Sequence, residues 1–275
     1  MITVCYSGNK KIFEGLLLSV LSLADKATDS LNILVMSMDI PDVDPRFRKF
    51  SNEQIALLDK VVKEKNPESR ATLIDVTELY RIHLAHSKNA NSGYTPYTLL
   101  RLLLDMIPEA GDKVIYTDID TMFSGDIKEL YDVDISGYEF GAVRDHMGKV
   151  FIGPNYCNAG VLLLNMEEIR RTRLFERARE MVVRKKMIMP DQTALNKLAH
   201  AKKYLPRRFN EQRGLRPDTV IKHFCKGIKF YPLFFRIYNY KQWNREMVHK
   251  KLGIHEFDYI YELFDKITAS ADINK

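Results

Sequence analysis

Four short apolar, strand-like runs punctuate the first half of this chain, and helical patterns fill much of the space between them. The runs are Met1–Tyr6, Leu31–Met38 (LNILVMSM), Ala71–Val76 and Lys113–Thr117 (KVIYT). Asn52–Lys65 places Ile55, Leu58, Val61 and Val62 on one helical side, and Tyr97–Met106 reads as a strongly apolar helix. This alternation predicts an α/β fold with a mostly parallel central sheet flanked by helices. Ligands of such sheets bind beyond the carboxyl ends of the strands, near the switch in strand order. Ser7-Gly8-Asn9 and Asp118-Ile119-Asp120 both follow a strand end and are read as facing one crevice. In the second half, Tyr138–Arg144 and Gly160–Asn165 read as strands, and Met166–Lys186 as one long charged helix. Asp191–Ala199 reads as a short helix started by Pro190. Residues 1–240 are taken as the catalytic domain and 241–275 as a helical C-terminal extension packed on it.

Composition narrows the class without choosing a partner. The 275 residues are 45% apolar and 28% charged, enough for a sizeable core. The net charge of +6 suits nucleotide phosphates, an anionic membrane surface or nucleic acid. Cys5, Cys157 and Cys225 are odd in number and show no ligand spacing. A disulfide framework is therefore not expected, and a cytoplasmic setting is. The apolar run Leu16–Leu23 is too short to span a bilayer and has no signal-peptide flanks, so it is read as a core helix.

Five constellations carry chemistry. In Asp118-Ile119-Asp120 two carboxylates converge, and such a pair repels itself unless a cation lies between them; two solvated loop acids are the alternative. His223 follows an apolar run and is read either as a half-buried structural histidine beside exposed lysines or as a ligand; an imidazole added to the two aspartates favours manganese over magnesium, with Lys229 as a point charge for phosphate. Asn158-Ala159-Gly160 allows close backbone approach to a ligand, although a plain turn fits it as well. Asp191 beside Gln192 suits sugar hydroxyls, or simple helix capping. Arg101, alone in an apolar helix, needs a diphosphate, Asp118 or water as partner.

The order and wording of these pieces resemble glycosyltransferase family 8, which includes glycogenin and bacterial lipooligosaccharide galactosyltransferases. The resemblance rests on SVLSL (Ser19–Leu23), YTLLRLLLDMIPEAGDKVIYTDIDTMFSGDIKELYDVD (Tyr97–Asp134), NAGVLLLNMEEIR (Asn158–Arg170), PDQTALN (Pro190–Asn196) and HFCKGIKFY (His223–Tyr231). It implies a GT-A type fold, a UDP-sugar donor, a manganese ion (magnesium as the alternative) and retention of anomeric configuration. It further implies a hexose transferred to a glycan, glycolipid or glycoprotein, as in bacterial cell-surface glycan synthesis. By position, Asp118, Asp120 and His223 match the metal ligands, and Asp191 and Gln192 the pair beside the reacting carbon. Arg101, Asn158, Ala159, Gly160, Gly227 and Lys229 match donor contacts, as do Ile119 and the first turn Tyr6, Ser7, Gly8 and Asn9. Two departures stand out. The acidic residue that usually reads the uracil edge is replaced in Ser7-Gly8-Asn9, and Lys226 stands where the family often has Gly.

Retention with an amide at the matching position favours same-face attack, with Gln192 and Asp191 holding the sugar; a covalent adduct is the other route. Two rival classes are a non-catalytic nucleotide-sugar or glycan-binding module and a sugar nucleotidyltransferase. No nucleic-acid motif is present. The aromatic and basic segment Phe230–Trp243 (FYPLFFRIYNYKQW) suits either a peripheral contact with the inner membrane face or packing of the C-terminal helix.

Overall fold

The computed structural model describes residues 1–89, 95–230 and 235–270. Its strands are β1 Ile2–Ser7, β2 Leu31–Ser37, β3 Arg70–Asp75, β4 Lys113–Thr117, β5 Thr121–Phe123, β6 Phe140–Arg144, β7 Cys157–Asn165, β8 Lys202–Tyr204, β9 Ile221–His223, β10 Gly227–Phe230 and β11 Phe235–Tyr238. Seven of them form one sheet in the order β3-β2-β1-β4-β7-β6-β8. All neighbours pair in parallel except at β7, which runs antiparallel to both β4 and β6. The mostly parallel sheet read from the sequence is thus present, with one reversed strand.

Strand alternation divides the core between the two faces. Along β1, Val4 and Tyr6 enter one apolar cluster and Cys5 the other; along β2, Ile33 and Val35 oppose Leu34 and Met36. One face is covered by the helices Phe13–Lys26 and Asn52–Lys65, with Ile55, Leu58, Val61 and Val62 all buried as the periodicity requires. Ser51 and Gln54 close a reciprocal capping box at the start of the second helix. The opposite face is covered by Pro96–Met106, a 3₁₀ helix, and Leu174–Arg184. The order of strands turns back between β1 and β4, so the crevice lies beyond their carboxyl ends, where β4 leads into Asp118.

Three elements differ from the expectation. The long helix expected over Met166–Lys186 is two helices, Met166–Thr172 and Leu174–Arg184, broken at Arg173, whose φ of 57° is left-handed. Beyond the break Leu174 and Phe175 enter the core together with Ala178 and Val182. The strand expected to start at Gly160 begins at Cys157, so Asn158-Ala159-Gly160 lies inside β7. Pairing of Arg144 with Cys157 past a bulge in β6 extends the ladder that far. The strand expected from Tyr138 begins at Phe140.

The C-terminal region closes over the helix Phe13–Lys26. In it Phe257, Ile260 and Tyr261 are buried, and the Tyr261 hydroxyl donates to the Gln242 carbonyl at 2.8 Å. Trp243 packs so tightly on Gly15 that a Cβ there would lie 2.6 Å from the indole. This supports the packing reading of Phe230–Trp243 at its C-terminal end; residues 231–234 lie outside the described residues. Among the described residues no helix is long and apolar enough to cross a membrane.

Candidate active site

Beyond β4 the chain turns at Asp118-Ile119-Asp120. Ile119 is buried in the core, which leaves both carboxylates facing a cavity of about 900 Å³. Backbone bonds tie this turn to two neighbours. The Asp118 N–H donates to the Gly160 carbonyl and the Phe224 N–H to the Asp120 carbonyl, each at 2.7 Å. The short pairing of β5 with β9 sets Thr121 opposite His223, bringing the imidazole over the turn. Donor atoms of Asp118, Asp120 and His223 lie within 4.8 Å of one another, with His223 Nε2 3.2 Å from Asp120 Oδ1 and 3.9 Å from Asp118 Oδ2. Gly160 forms the floor of this cradle. A Cβ there would sit 2.2 Å from the His223 ring and 2.9 Å from Asp118 Oδ2.

A chain of buried amides determines which histidine nitrogen faces the cluster. The Asp145 carboxylate only accepts, so the bond from Asn158 Nδ2 at 2.7 Å fixes the Asn158 amide. Asn158 Oδ1 then accepts from Asn210 Nδ2 at 2.9 Å, which leaves Asn210 Oδ1 to accept from His223 Nδ1 at 3.0 Å. The proton therefore sits on Nδ1, and Nε2 presents its lone pair to the aspartates. A histidine oriented this way by a second residue is the usual arrangement at metal centres. Two carboxylates and one imidazole, with a glycine floor, fit a divalent cation such as manganese.

Arg101 spans the cavity wall. Its guanidinium contacts Asp118 Oδ1 at 2.7 Å, Asp191 Oδ2 at 3.0 Å and the Ala159 carbonyl, and lies 4.3 Å above the Tyr116 ring. Asp191 begins the helix Pro190–Leu198. Burial pushes its carboxyl above the usual range, Arg101 opposing and Asp118 adding to the rise. Gln192 accepts from the Ala159 N–H at 2.9 Å and donates to Asp145 Oδ2 at 3.3 Å. Asp145 thus braces both Asn158 and Gln192.

Asp118, Asp120, His223, Arg101, Asn158, Ala159, Gly160, Asp191, Gln192 and Gly227 all line the one cavity. The first turn does not join them. Tyr6 is fully buried, its hydroxyl 3.1 Å from Ser19 Oγ, and Asn9 caps the turn Lys10–Ile12. Ser7 Oγ lies 2.6 Å from the Tyr116 hydroxyl, which in turn donates to Asp118 Oδ1 at 3.2 Å. Gly8 packs against Ile119, where a Cβ would approach within 2.5 Å. Through these contacts Ser7 and Gly8 support the Asp118–Asp120 turn. The Lys229 side chain lies outside the described residues.

Sequence reading passed over Asp145, Asn210 and Lys241. The Lys241 ammonium pairs with Asp120 Oδ2 and donates to the Phe224 carbonyl at 3.1 Å. Burial works against charge at Asp120, but the Lys241 ammonium outweighs it and holds the carboxyl far below its usual range. Next to Lys241, Gln242 Nε2 donates to the Ile119 carbonyl at 2.7 Å, buttressing the same turn. A basic residue close to the tail's aromatics was the only signal for Lys241, and none marked Asn210. Cys225 also lines the cavity, but burial pushes its thiol up to about 12, so it stays protonated and inert.

Comparison with known proteins shows the family and the fold. Residues 3–232 match the family described as Glycosyl transferase family 8. The lipopolysaccharide 1,2-glucosyltransferase of Escherichia coli is 24% identical over 253 residues, 76% of this chain and 72% of its own length. General stress protein A of Bacillus subtilis is 24% identical over 209 residues, 61% of this chain and 72% of its own. A crystal structure of an active-site mutant of LgtC superimposes with a TM-score of 0.68 at 19% identity, covering 98% of this chain and 96% of LgtC. Such an overlay shows the GT-A fold. With other curated relatives the match is shorter: it spans 48% of a Haemophilus influenzae protein and 10% of the glycosyltransferase GlyA of Streptococcus pneumoniae serotype 4.

Proposed function

This chain belongs to glycosyl transferase family 8 and is a glycosyltransferase; within that class we propose that it transfers a hexose, glucose or galactose, from a UDP-sugar to a hydroxyl of a glycan, glycolipid or glycoprotein, with retention at the anomeric carbon. The observation that carries the reading is the convergence of Asp118, Asp120 and a tautomer-fixed His223 on the cavity that also holds Arg101, Asp191 and Gln192. Asp118, Asp120 and His223 would hold a manganese ion, which when bound supplies charge neutralisation for the departing diphosphate.

The chain's own residues divide the remaining work. Arg101 is preorganised by two carboxylates and adds fixed positive charge at the donor end. Lys229 and Lys226, on either side of Gly227, serve the diphosphate. Asn158, Ala159 and Gly160 present backbone and amide groups to the sugar, while Asp191 and Gln192 hold its hydroxyls beside the reacting carbon. Gln192 has its amide oxygen committed to the Ala159 N–H, which favours same-face attack over a covalent adduct. In that step the sugar–phosphate C–O bond breaks and the acceptor oxygen bonds to the same carbon. The hydroxyl proton passes to the departing phosphate oxygen. Tyr6, Ser7, Gly8, Asn9 and Ile119 lie at the donor's nucleotide end, where Ser7 and Gly8 also keep the Asp118–Asp120 turn in place. Residues 1–240 form the catalytic domain and 241–275 its extension, with Lys241 and Gln242 reaching back into the site.

The test is release of UDP from a panel of UDP-sugars without acceptor, with manganese and then with chelator. Manganese-dependent release from one UDP-hexose is expected. No release and no UDP binding with any divalent metal would overturn the donor assignment.

A further inference from the structure

A second cluster of ligating side chains lies in the C-terminal region, away from the aspartates of the cavity. His249 sits in the π-helical turn Val248–Leu252, His255 in the loop after it, and Asp258 opens the helix Asp258–Ser270. His249 Nε2 lies 2.6 Å from Asp258 Oδ1, and His255 Nδ1 lies 3.2 Å from Asp258 Oδ2. The imidazoles stack with centroids 4.4 Å apart and planes 23° from parallel. One donor atom from each of the three residues falls within 4.8 Å of the others. Two rings therefore present nitrogens side by side to one carboxylate from one direction.

We infer that His249, His255 and Asp258 form a zinc-class metal site that braces the turn bordering the catalytic cavity. The donor set decides the class. Two imidazoles and one carboxylate suit zinc and its transition-metal neighbours, whereas calcium and magnesium prefer all-oxygen shells. The catalytic cluster has the inverse ratio, two carboxylates to one imidazole, so the two sites differ in selectivity. On binding, each neutral ring keeps its proton on the nitrogen facing away and gives the facing lone pair to the cation. All three ligands are partly exposed, with side-chain accessibilities of 32%, 63% and 46%, which leaves a route for entry and open coordination positions for water.

The turn explains why this place matters. Val248 is buried, Gly253 ends the turn in a left-handed conformation at φ 64°, and Lys251 and Leu252 between them line the cavity. Asp258 belongs to the helix docked on Phe13–Lys26, so a cation joining His249 to Asp258 ties the cavity's border to the fixed body of the domain.

The test uses the full chain carrying Asp120→Asn, which disables the catalytic cluster, titrated with zinc by calorimetry and followed by thermal unfolding. A single zinc site that raises the melting temperature is expected. Adding His255→Ala or His249→Ala to that background should weaken zinc by roughly tenfold or more and remove the thermal shift. His255 is exposed, so its variant should fold. As a control, His255→Ala alone should keep manganese-dependent turnover. Zinc affinity unchanged by both histidine variants, or no zinc binding to the Asp120→Asn chain, would show a hydrogen-bonded clamp only and overturn the assignment.

Discussion

Among the described residues stand two triads of aspartate and histidine, in inverse ratio, and they differ also in what surrounds them. Asp118, Asp120 and His223 sit in a cavity over a glycine floor, and the imidazole is oriented by Asn210, which is itself oriented by Asn158 and Asp145. His249, His255 and Asp258 sit on the surface and hold one another. The inner triad is maintained by parts of the fold that do not touch the ligand, so its geometry persists whether or not a cation is bound. In the outer triad geometry depends on the ligands themselves. Preorganisation of the first kind serves chemistry, where small displacements are costly. The second kind serves a brace, where binding and ordering occur together.

The comparison breaks most sharply at Gly160. Gly160→Ala places a methyl 2.2 Å from the His223 ring, and the ring or the Asp118 carboxylate must give way. Turnover should fall by roughly 100-fold or more, since displacements near 1 Å cost that much, while the buried sheet keeps the protein folded. Steady-state kinetics with circular dichroism as a folding check would decide it; near-normal turnover would remove the cradle from the argument. Asp120→Asn should lose as much, together with manganese-dependent donor binding, and full activity there would sink the ligand assignment.

A sharper cut leaves all three inner ligands in place and removes only their support. Asn210→Leu deletes the acceptor for His223 Nδ1–H and frees the ring to turn or change tautomer. Manganese affinity without donor, read by electron paramagnetic resonance, should drop about 10- to 100-fold. Unchanged affinity would mean that the relay from Asp145 does not govern the tautomer.

Lys241 probes charge rather than geometry. Its ammonium rests on Asp120 Oδ2, a place that a dication bound to the same carboxylate would contest. Lys241→Met should therefore bind manganese alone a few-fold more tightly, the Coulomb gain being partly offset by the cost of a buried carboxylate left unpaired. Titration of metal in the absence of nucleotide checks the sign, and weaker binding would place Lys241 among the supports of the turn.

How far the sequence disclosed these differences depends on the range of the forces involved. The sheet was readable because β1, β2 and β4 are apolar runs whose burial follows from local pattern. The inner ligands were readable because Asp118, Asp120 and His223 lie in wording shared with a known family. Asn210 and Asp145 were not, since their roles arise from bonds to residues 13 to 52 positions away and neither has a local signature. Lys241 was hidden for the same reason, 121 positions from the aspartate it contacts. The break at Arg173 eluded the charge pattern, which continues through it, because a left-handed arginine has no local signature. The first turn shows the same limit: its place after β1 suggested a ligand contact, while its second role, packing against Tyr116 and Ile119, has no local signature.

The smallest effect is expected at the outer triad with no metal present. His255→Ala then removes one hydrogen bond to Asp258 and one face of a ring stack, both at the surface. Exposed pairs of this kind contribute about 0.2–1 kcal/mol, so metal-free thermal stability should change by no more than that, and turnover with manganese should be unaffected. Asn210→Leu provides the contrast, because it leaves the buried His223 Nδ1–H without its acceptor, a loss of about 1–3 kcal/mol, while Asn158 Oδ1 keeps the Gly160 N–H. Chelator-treated protein, unfolded in urea with both variants side by side, measures the two values in one experiment. Equal losses would mean that burial does not separate the triads, and the outer cluster would then have to be a structural support in its own right rather than a site completed by its cation.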